Sequence, residues 1–552
     1  MRHTVKPTVV FTDVAFSWPD GTPVLRGVSA AFGPGRTGLI GDNGAGKTTI
    51  LRLVAGDLTP TSGAVSSTGN VAFLPQRLPL ESGRNVGDLL GIREKLEALR
   101  AIESGAVDSH FFETVGDDWD LEARAAAVLD GAGLHDVSLD RRVETLSGGE
   151  GVLAALAGLR LAEPSITLLD EPTNNLDAHS RSRLYDAILA WRGAILVVSH
   201  DVTLLDLMDE VAELRRGRLT TYGGSYSEYQ QHLANEQGAA AQALQTAEQS
   251  LKREVEQRRE AETKLARRQR YARTDFQNKR KPKVVMNQRR TEAQVSAGKL
   301  RSQLDARVTS ARAAVDAHRD RLRRDPRIRI DLPSPDLATG RRVAELHDPK
   351  CTIVVQGPQR VAVTGSNGVG KTLLLETLFD PQLRSRRSTY AVLHTNRVGY
   401  LPQHLDGLID GQSALQSVRQ ASPNSTPNEV RGQLARFLLR GDVVERQIGT
   451  LSGGERFRVA LARLLLAQPP HELLVLDEPT NNLDLRTIGE LIDSLSTYRG
   501  ALIVVSHDDA FLSALGTDLR LELSEAGRLR QCPIDPGHQP ADRDRRVHVL
   551  RR

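Results

Sequence analysis

The chain says nearly the same thing twice. A loop GDNGAGKT at 41–48, a signature LSGGE at 146–150, an apolar run closing in LLDEPTNNLD and another closing in VVSHD appear first. They recur in the same order as GSNGVGKT at 365–372, LSGGE at 451–455, VLDEPTNNLD and VVSHD. A constellation repeated at this scale dictates two homologous domains, because one pattern of loops and buried strands must build one fold twice. The 552 residues also exceed what a single core holds, and a prior of roughly 150 residues per domain leaves room for three or four units.

Each loop fits G-x-x-x-x-G-K-S/T, with a strand-like run before it and a helix-like run after it, the setting a phosphate loop requires. Gly41, Asp42, Asn43, Gly44, Ala45 and Gly46 place backbone N–H groups around phosphates at a helix N-terminus, Lys47 reaches the outer phosphates, and the Thr48 hydroxyl, followed by Thr49, can ligate Mg2+. Gly365, Ser366, Asn367, Gly368, Val369, Gly370, Lys371 and Thr372 repeat those roles. Each later apolar run ends in an acid pair, Asp170–Glu171 and Asp477–Glu478. A strand ending in Asp presents that carboxylate beside the loop, where it can hold Mg2+, and the next acid is placed to polarise a water. The tripeptide LPQ supplies Gln76 and Gln403, and VVSHD supplies His200 and His507. Acids at a strand end are ordinarily surface residues, and a lone His there is ordinarily structural. Near letter-for-letter repetition of their surroundings favours chemistry instead.

These residues resemble the ATP-binding cassette superfamily over roughly 8–229 and 341–530. The resemblance implies an α/β protein with two P-loop cassettes in tandem and two ATP molecules, each with Mg2+, sandwiched between them. Residues 41–48 would face Ser452, Gly453, Gly454 and Glu455, and residues 365–372 would face Ser147, Gly148, Gly149 and Glu150. By the same resemblance Gln76 and Gln403 lie near the metal with Thr48, Thr372, Asp170 and Asp477. Glu171 and Glu478 are the general bases, His200 and His507 meet the γ-phosphate, and Trp18 stacks on adenine. The second copy has no aromatic where Trp18 stands. Its signature helix begins with Arg456 and Arg458 nearby, where the first begins with Gly151. Two hydrolysis-competent but unequal sites are therefore expected. Loop and signature stand 105 residues apart in the first copy and 86 in the second, and the surplus, around 91–120, reads as a small arm or a longer helical subdomain.

Between the copies the periodicity turns purely helical. Leu244, Leu251 and Leu265, with Val255 between, then Leu304, Val308, Ala311, Val315, His318 and Leu322, form the narrow stripe of an antiparallel hairpin. Pro282 forbids one continuous helix and puts the turn near 278–285. At ~1.5 Å per residue, arms of about 40 residues set the tip on the order of 60 Å from the cassettes. The expected layout is a first cassette at 1–230, hairpin at 231–330 with its tip at 267–290, second cassette at 331–530, and a basic tail at 531–552 without a reading.

The formal charge of +4 hides a segregation. Residues 241–330 hold 25 of the 73 Lys/Arg and only 11 of the 69 Asp/Glu, a local +14 against −10 for the remainder. The tip gathers Arg267, Arg268, Arg270, Arg273, Lys279, Arg280, Lys281, Lys283, Arg289 and Arg290, interleaved with Tyr271 and Phe276. Cations neutralise phosphates and rings stack on unpaired bases, so this composition suits RNA. A charged spacer is the plainer alternative, which the acidic remainder argues against. Apolar runs fall far short of the ~20 residues a bilayer needs, the opening stretch has no secretory h-region, and two cysteines build neither a disulfide framework nor a zinc site. A cytoplasmic, monomeric chain with an intramolecular cassette pair is the expectation. Tandem cassettes, a charged helical linker and no membrane segment resemble the ABC-F group. That resemblance implies an ATPase of the ribosome whose linker tip meets rRNA and tRNA near the peptidyl-transferase centre, in translation control or antibiotic resistance. The alternative is the ATPase subunit of a transporter whose membrane domains are encoded elsewhere.

Overall fold

The computed structural model describes residues 8–76, 78, 83–174, 176–277, 283–321, 332, 334–403, 405, 407–481, 483–533 and 549–551; within these, residues 269, 272–277, 283–291, 293, 320–321 and 549–551 are described by backbone only. It divides into two compact units, Met1–Tyr226 with Arg327–Arg552, and Ser227–Pro326.

The first unit holds both cassettes, built on one plan. In the first, strands run Val71–Leu74, Ile166–Asp170, Ala194–Val198, Gly35–Ile40, Glu210–Arg215 and Arg218–Gly223 across a six-stranded sheet, parallel except at the last pair. The second repeats the order with Val398–Leu401, Leu473–Asp477, Ala501–Val505, Arg360–Thr364, Leu519–Leu523 and Leu529–Cys532. The central runs ITLLD, AILVV, LLVLD and ALIVV are buried at every position. Parallel strands covered on both faces must be apolar throughout, which is why these runs do not alternate. Antiparallel strands flank each sheet: Pro23–Phe32, Val9–Ser17 and Ser62–Ser67 in the first cassette, and Tyr390–Leu393, Arg342–His347, Cys351–Gln356 and Val549–Arg551 in the second.

The surplus of the first copy folds into two helices, Arg93–Glu103 and Ser109–Val115, around a small core of Ala98, Leu99 and Val115. Lys95 with Asp118, and Arg100 with Glu122 and Asp140, tie them to the following helix Leu121–Gly131 and its neighbourhood. Phe112 and Trp119 stay exposed and lean on one another with ring centroids 6.0 Å apart.

The second unit is a pair of long helices, Tyr226–Gln277 (entering from the first unit) and Lys283–Arg321. Arg258 pairs with Asp305 at 2.9 Å and Arg319 with Glu248 at 3.5 Å, an antiparallel register. Leu304, Val308 and Val315 are buried, and Leu244, Leu251 and Leu265 half-buried, in the expected seam. Val255 is a correction: it is 42% exposed, while Glu254 beside it is half-buried. A helix turns 100° per residue, so a stripe written one position off faces water. The expected turn falls largely on 278–282, and Leu322 with it lies outside the described residues. Among the described residues no helix is long and apolar enough to cross a membrane.

Leu168 lies on Ile166–Asp170, flanked by strands on both sides of the first sheet, with 0% exposure. Leu168→Ala should destabilise the first cassette by about 2–5 kcal/mol through lost burial and an unfilled cavity, read as a lowered urea midpoint; an unchanged midpoint would contradict the packing.

Candidate active site

Each phosphate loop springs from a central strand and turns on glycines no other residue replaces. Gly41 has φ 157 and Gly46 φ 108, and a Cβ would lie 2.5 Å from the Leu214 carbonyl oxygen at Gly41 and 2.3 Å from Val24 Cγ1 at Gly46. The helices Lys47–Ala55 and Lys371–Glu376 begin directly behind. Lys47 Nζ donates to the Gly41 carbonyl at 2.7 Å and lies 3.1 Å from His200 Nε2; Lys371 Nζ donates to Gly365 and Ser366 carbonyls at 2.8 and 3.0 Å. Burial holds both lysines below their usual range, opposed by nearby carboxylates, Glu171 foremost for Lys47 and Glu478 for Lys371.

The strand-end acids stand where the sequence puts them. The Thr48 hydroxyl donates to Asp170 Oδ2 at 2.8 Å. Burial raises Asp170 and Asp477 above the usual carboxylate range. The next acids, Glu171 and Glu478, are held at φ 51 and 45, a left-handed backbone that costs a non-glycine residue on the order of 1–3 kcal/mol. Burial pushes both up to about 7, against the pull of Lys47 and Lys371. His200 Nε2 lies 3.1 Å from Glu171 Oε1, and His507 Nε2 3.3 Å from Glu478 Oε1. Burial, then the lysine charge, lowers both imidazoles to about 3. They are therefore neutral, and each His–Glu approach is no ion pair. Consistently, Glu171 Oε1, Glu478 Oε1 and both Asp477 oxygens are buried without a hydrogen-bond partner.

Such orphaned acceptors beside a phosphate loop fit a hydrated divalent ion and a reacting water. Mg2+ prefers one or two carboxylates with phosphate oxygens and water. Among the described residues no group of three or more His, Cys, Asp or Glu can hold a metal, so an ion here draws its remaining ligands from nucleotide and solvent.

A cleft of ≈ 430 Å3 opens over the first loop, lined by Trp18, Asn43, Gly44, Gly46, Lys47, Thr48, Thr49, Gln76, Asp170, Glu171, Asn174 and His200. Ligand clefts span about 300–1,000 Å3, so a nucleotide fits. Trp18 closes the turn at the end of Val9–Ser17 and packs edge-on against Phe16, centroids 5.1 Å apart. In the second cassette the matching turn, 348–350, is organised by the Asp348 carboxylate, which accepts from the amides of Lys350 and Cys351 at 2.7 and 2.6 Å. Gln403 is exposed after its strand, as Gln76 is.

The signature residues do not line that cleft. Ser147 and Ser452 cap the helices Gly148–Ala162 and Gly453–Leu465, and Glu150 and Glu455 accept hydrogen bonds from the serine amides at 2.7 and 2.9 Å. Those glutamates therefore serve the cap, in a capping box. Arg456 and Arg458 are paired within the second cassette, with Asp410 at 2.7 Å and Glu490 at 3.6 Å.

What crosses between cassettes is the last residue of each DEPTNNLD. The Asn43 amide donates to Asp484 Oδ2 at 2.7 Å, and the Asn367 amide to Asp177 Oδ2 at 3.0 Å. Arg486 approaches Asp42 at 3.6 Å in one direction, and Arg181 reaches the His507 carbonyl at 3.3 Å in the other. Sequence reasoning misses Asp177, Asp484, Asn174, Arg181 and Arg486. The repeated LD pair is a usable signal for the two aspartates; nothing marks the two arginines.

At the hairpin end, Arg267 lies over the Tyr271 ring at 5.8 Å, with Arg268, Arg270 and Tyr271 exposed. The side chains of Arg273, Phe276, Lys283, Arg289 and Arg290, and all of Lys279, Arg280 and Lys281, lie outside the described residues.

Fold and site together define a tandem P-loop ATPase. The ABC transporter family model matches residues 25–174 and 351–481. The tylosin resistance ATP-binding protein TlrC of Streptomyces fradiae is 32% identical over 92% of this chain and 95% of its own. The energy-dependent translational throttle protein EttA of Mycobacterium tuberculosis is 32% identical over 90% of this chain and 88% of its own. Among solved structures, an RNase-L inhibitor shares the fold at TM-score 0.51 and 17% identity, over 94% of this chain and 90% of that one. The chain belongs to the ATP-binding cassette family, in its ABC-F group, and hydrolyses ATP.

A carboxylate that takes a proton from water must itself be ionised. With Glu171 and Glu478 pushed up to about 7, kcat for ATP should fall with acid below that pH, approaching about tenfold per pH unit, and level off above it. A pH–kcat profile flat down to about pH 5 would exclude this. Glu171→Gln and Glu478→Gln should each leave partial turnover, in unequal amounts, in a phosphate-release assay.

Proposed function

We propose that this chain is a cytoplasmic ATPase of the ribosome, whose cassette pair closes on two ATP molecules and whose basic hairpin end contacts rRNA and tRNA. Its two sites follow the arrangement above. Lys47, Thr48 and the loop amides bind the phosphates in the first cassette, and Lys371, Thr372 and theirs in the second. Asp170 with Gln76, and Asp477 with Gln403, join the threonines around Mg2+, which supplies charge neutralisation on the phosphates. Glu171 and Glu478 take a proton from the attacking water, and His200 and His507 hold the γ-phosphate through neutral imidazoles. Glycine amides at the capped starts of the signature helices complete each site from the opposite cassette.

The observation that carries the ribosomal reading is the charge segregation: +14 within residues 241–330 on an otherwise acidic chain, with an arginine–tyrosine pair at its exposed end. A transporter subunit has no use for such a hairpin. The names of its relatives, a translational throttle and a tylosin resistance protein, point to the same partner and leave translation control and drug protection as branches of one activity. The helix pair near 91–120 is read as a small arm, a reading that the exposure of Phe112 and Trp119 supports.

Glu171→Gln combined with Glu478→Gln traps the closed state, and with ATP it should co-sediment with ribosomes through sucrose. Replacing Arg267, Arg268 and Arg270 by Ala should weaken that binding and flatten its dependence on log salt, by roughly 0.7–0.9 for each phosphate that the variant no longer neutralises. Recovery in the membrane fraction, or binding indifferent to salt, would sink the proposal. Growth on macrolides with and without the protein then separates the two branches.

A further inference from the structure

The helices that follow the two crossing aspartates differ at most matched positions, and one of those differences bears on the boundary between the cassettes. Four residues after Asp177 stands Arg181; four after Asp484 stands Ile488, 9% exposed and packed in the second cassette's core. The Arg181 side chain is only 14% exposed. Its Nε donates to the Leu176 carbonyl at 3.2 Å, which aims the guanidinium across the boundary. From there Nη1 lies 3.7 Å from Asp201 Oδ2 and donates to the His507 carbonyl at 3.3 Å. Asp201 does not depend on that approach: the Tyr185 hydroxyl donates to it at 2.6 Å, and it caps the helix Val202–Leu205 through the Leu204 amide at 3.1 Å. In the reverse direction the crossing arginine, Arg486, approaches Asp42 on the loop and not His200.

We propose that Arg181 is a positioning residue which the first cassette supplies to the second nucleotide site, holding the His507 backbone so that its imidazole stays against Glu478. This rests on the reading of Glu478 and His507 as that site's chemistry. A guanidinium fork fixes a carbonyl more rigidly than a neutral donor does, because the bond is charge-assisted and the donor plane is stiff. The bond spans two cassettes, so it exists only while they are clasped. Hydrolysis at the second site is thereby conditional on closure in a way the first site, with Ile488 opposite, is not. The asymmetry extends the loss of the stacking ring: the second site lacks an equivalent of Trp18, and its crossing arginine reaches the histidine backbone where the first site's reaches the loop.

The test reads each site alone. In a Glu171→Gln chain, where the second site carries turnover, Arg181→Met should lower kcat by about tenfold and leave KM for ATP within about twofold. Arg181→Lys, which keeps the charge and a donor, should recover part of that loss. In a Glu478→Gln chain the same Arg181→Met should cost at least about fivefold less. Equal losses in the two backgrounds, an effect confined to KM, or a lysine variant no better than methionine would each overturn the proposal. Should Arg181→Met fail to fold, Arg181→Gln against Arg181→Lys makes the same comparison with smaller changes of volume. A Glu171→Gln chain without any turnover, beside an active Glu478→Gln chain, would instead refute the second site's assignment and the proposal with it.

Discussion

Two backbone amides hold this molecule's chemistry together. Asn43 and Asn367, each inside a phosphate loop, donate to Asp484 and Asp177 of the opposite cassette at 2.7 and 3.0 Å. Each aspartate divides its carboxylate, giving the other oxygen to its own helix through Thr487 at 2.8 Å or Ser180 at 2.9 Å. Burial alone would raise their pKa, but the amide and hydroxyl bonds outweigh it and hold both below the usual range. A charged acceptor roughly doubles the strength of such a bond. The loop that cradles phosphates is thus braced by the partner cassette, and its geometry becomes a readout of whether the pair is closed.

The cost of that readiness sits a few residues away. Glu171 and Glu478 occupy left-handed backbone, and their Oε1 atoms, with both oxygens of Asp477, are buried and unsatisfied. Burying an acceptor without a donor costs about 1–3 kcal/mol. A fold selected only for stability would place apolar residues there. The strands beneath, ITLLD and LLVLD, are what tolerate the strain, since each is buried at every position and paired on both sides. Chemistry is concentrated where the strands end because their interiors have no room for it.

How much of this the sequence discloses depends on whether the cause is local. The loop glycines, the strand-terminal acids and the serine caps are written in consecutive letters, because a phosphate loop, a buried strand and a capping box are each set by neighbours in the chain. Glu150 and Glu455 show the limit: grouped with the nucleotide site by motif, they turn their carboxylates back to their own helices. Val255 shows another, since a stripe in a charge-rich helix tolerates a one-residue slip that only the partner helix resolves. Arg181 and Arg486 are invisible for a stronger reason. Their partners, His507 and Asp42, lie hundreds of residues away, and neither arginine belongs to a repeated motif.

Unequal halves follow from duplication under one constraint. The two cassettes share strand order and the crossing aspartates, so those features are required for either site to form. Trp18 against the Asp348 turn, Gly151 against Arg456 and Arg458, and Arg181 against Ile488 are free to diverge, because each alters one site without breaking the shared frame. If closure is a single motion, the tighter site sets when the pair clasps and the other sets when it opens.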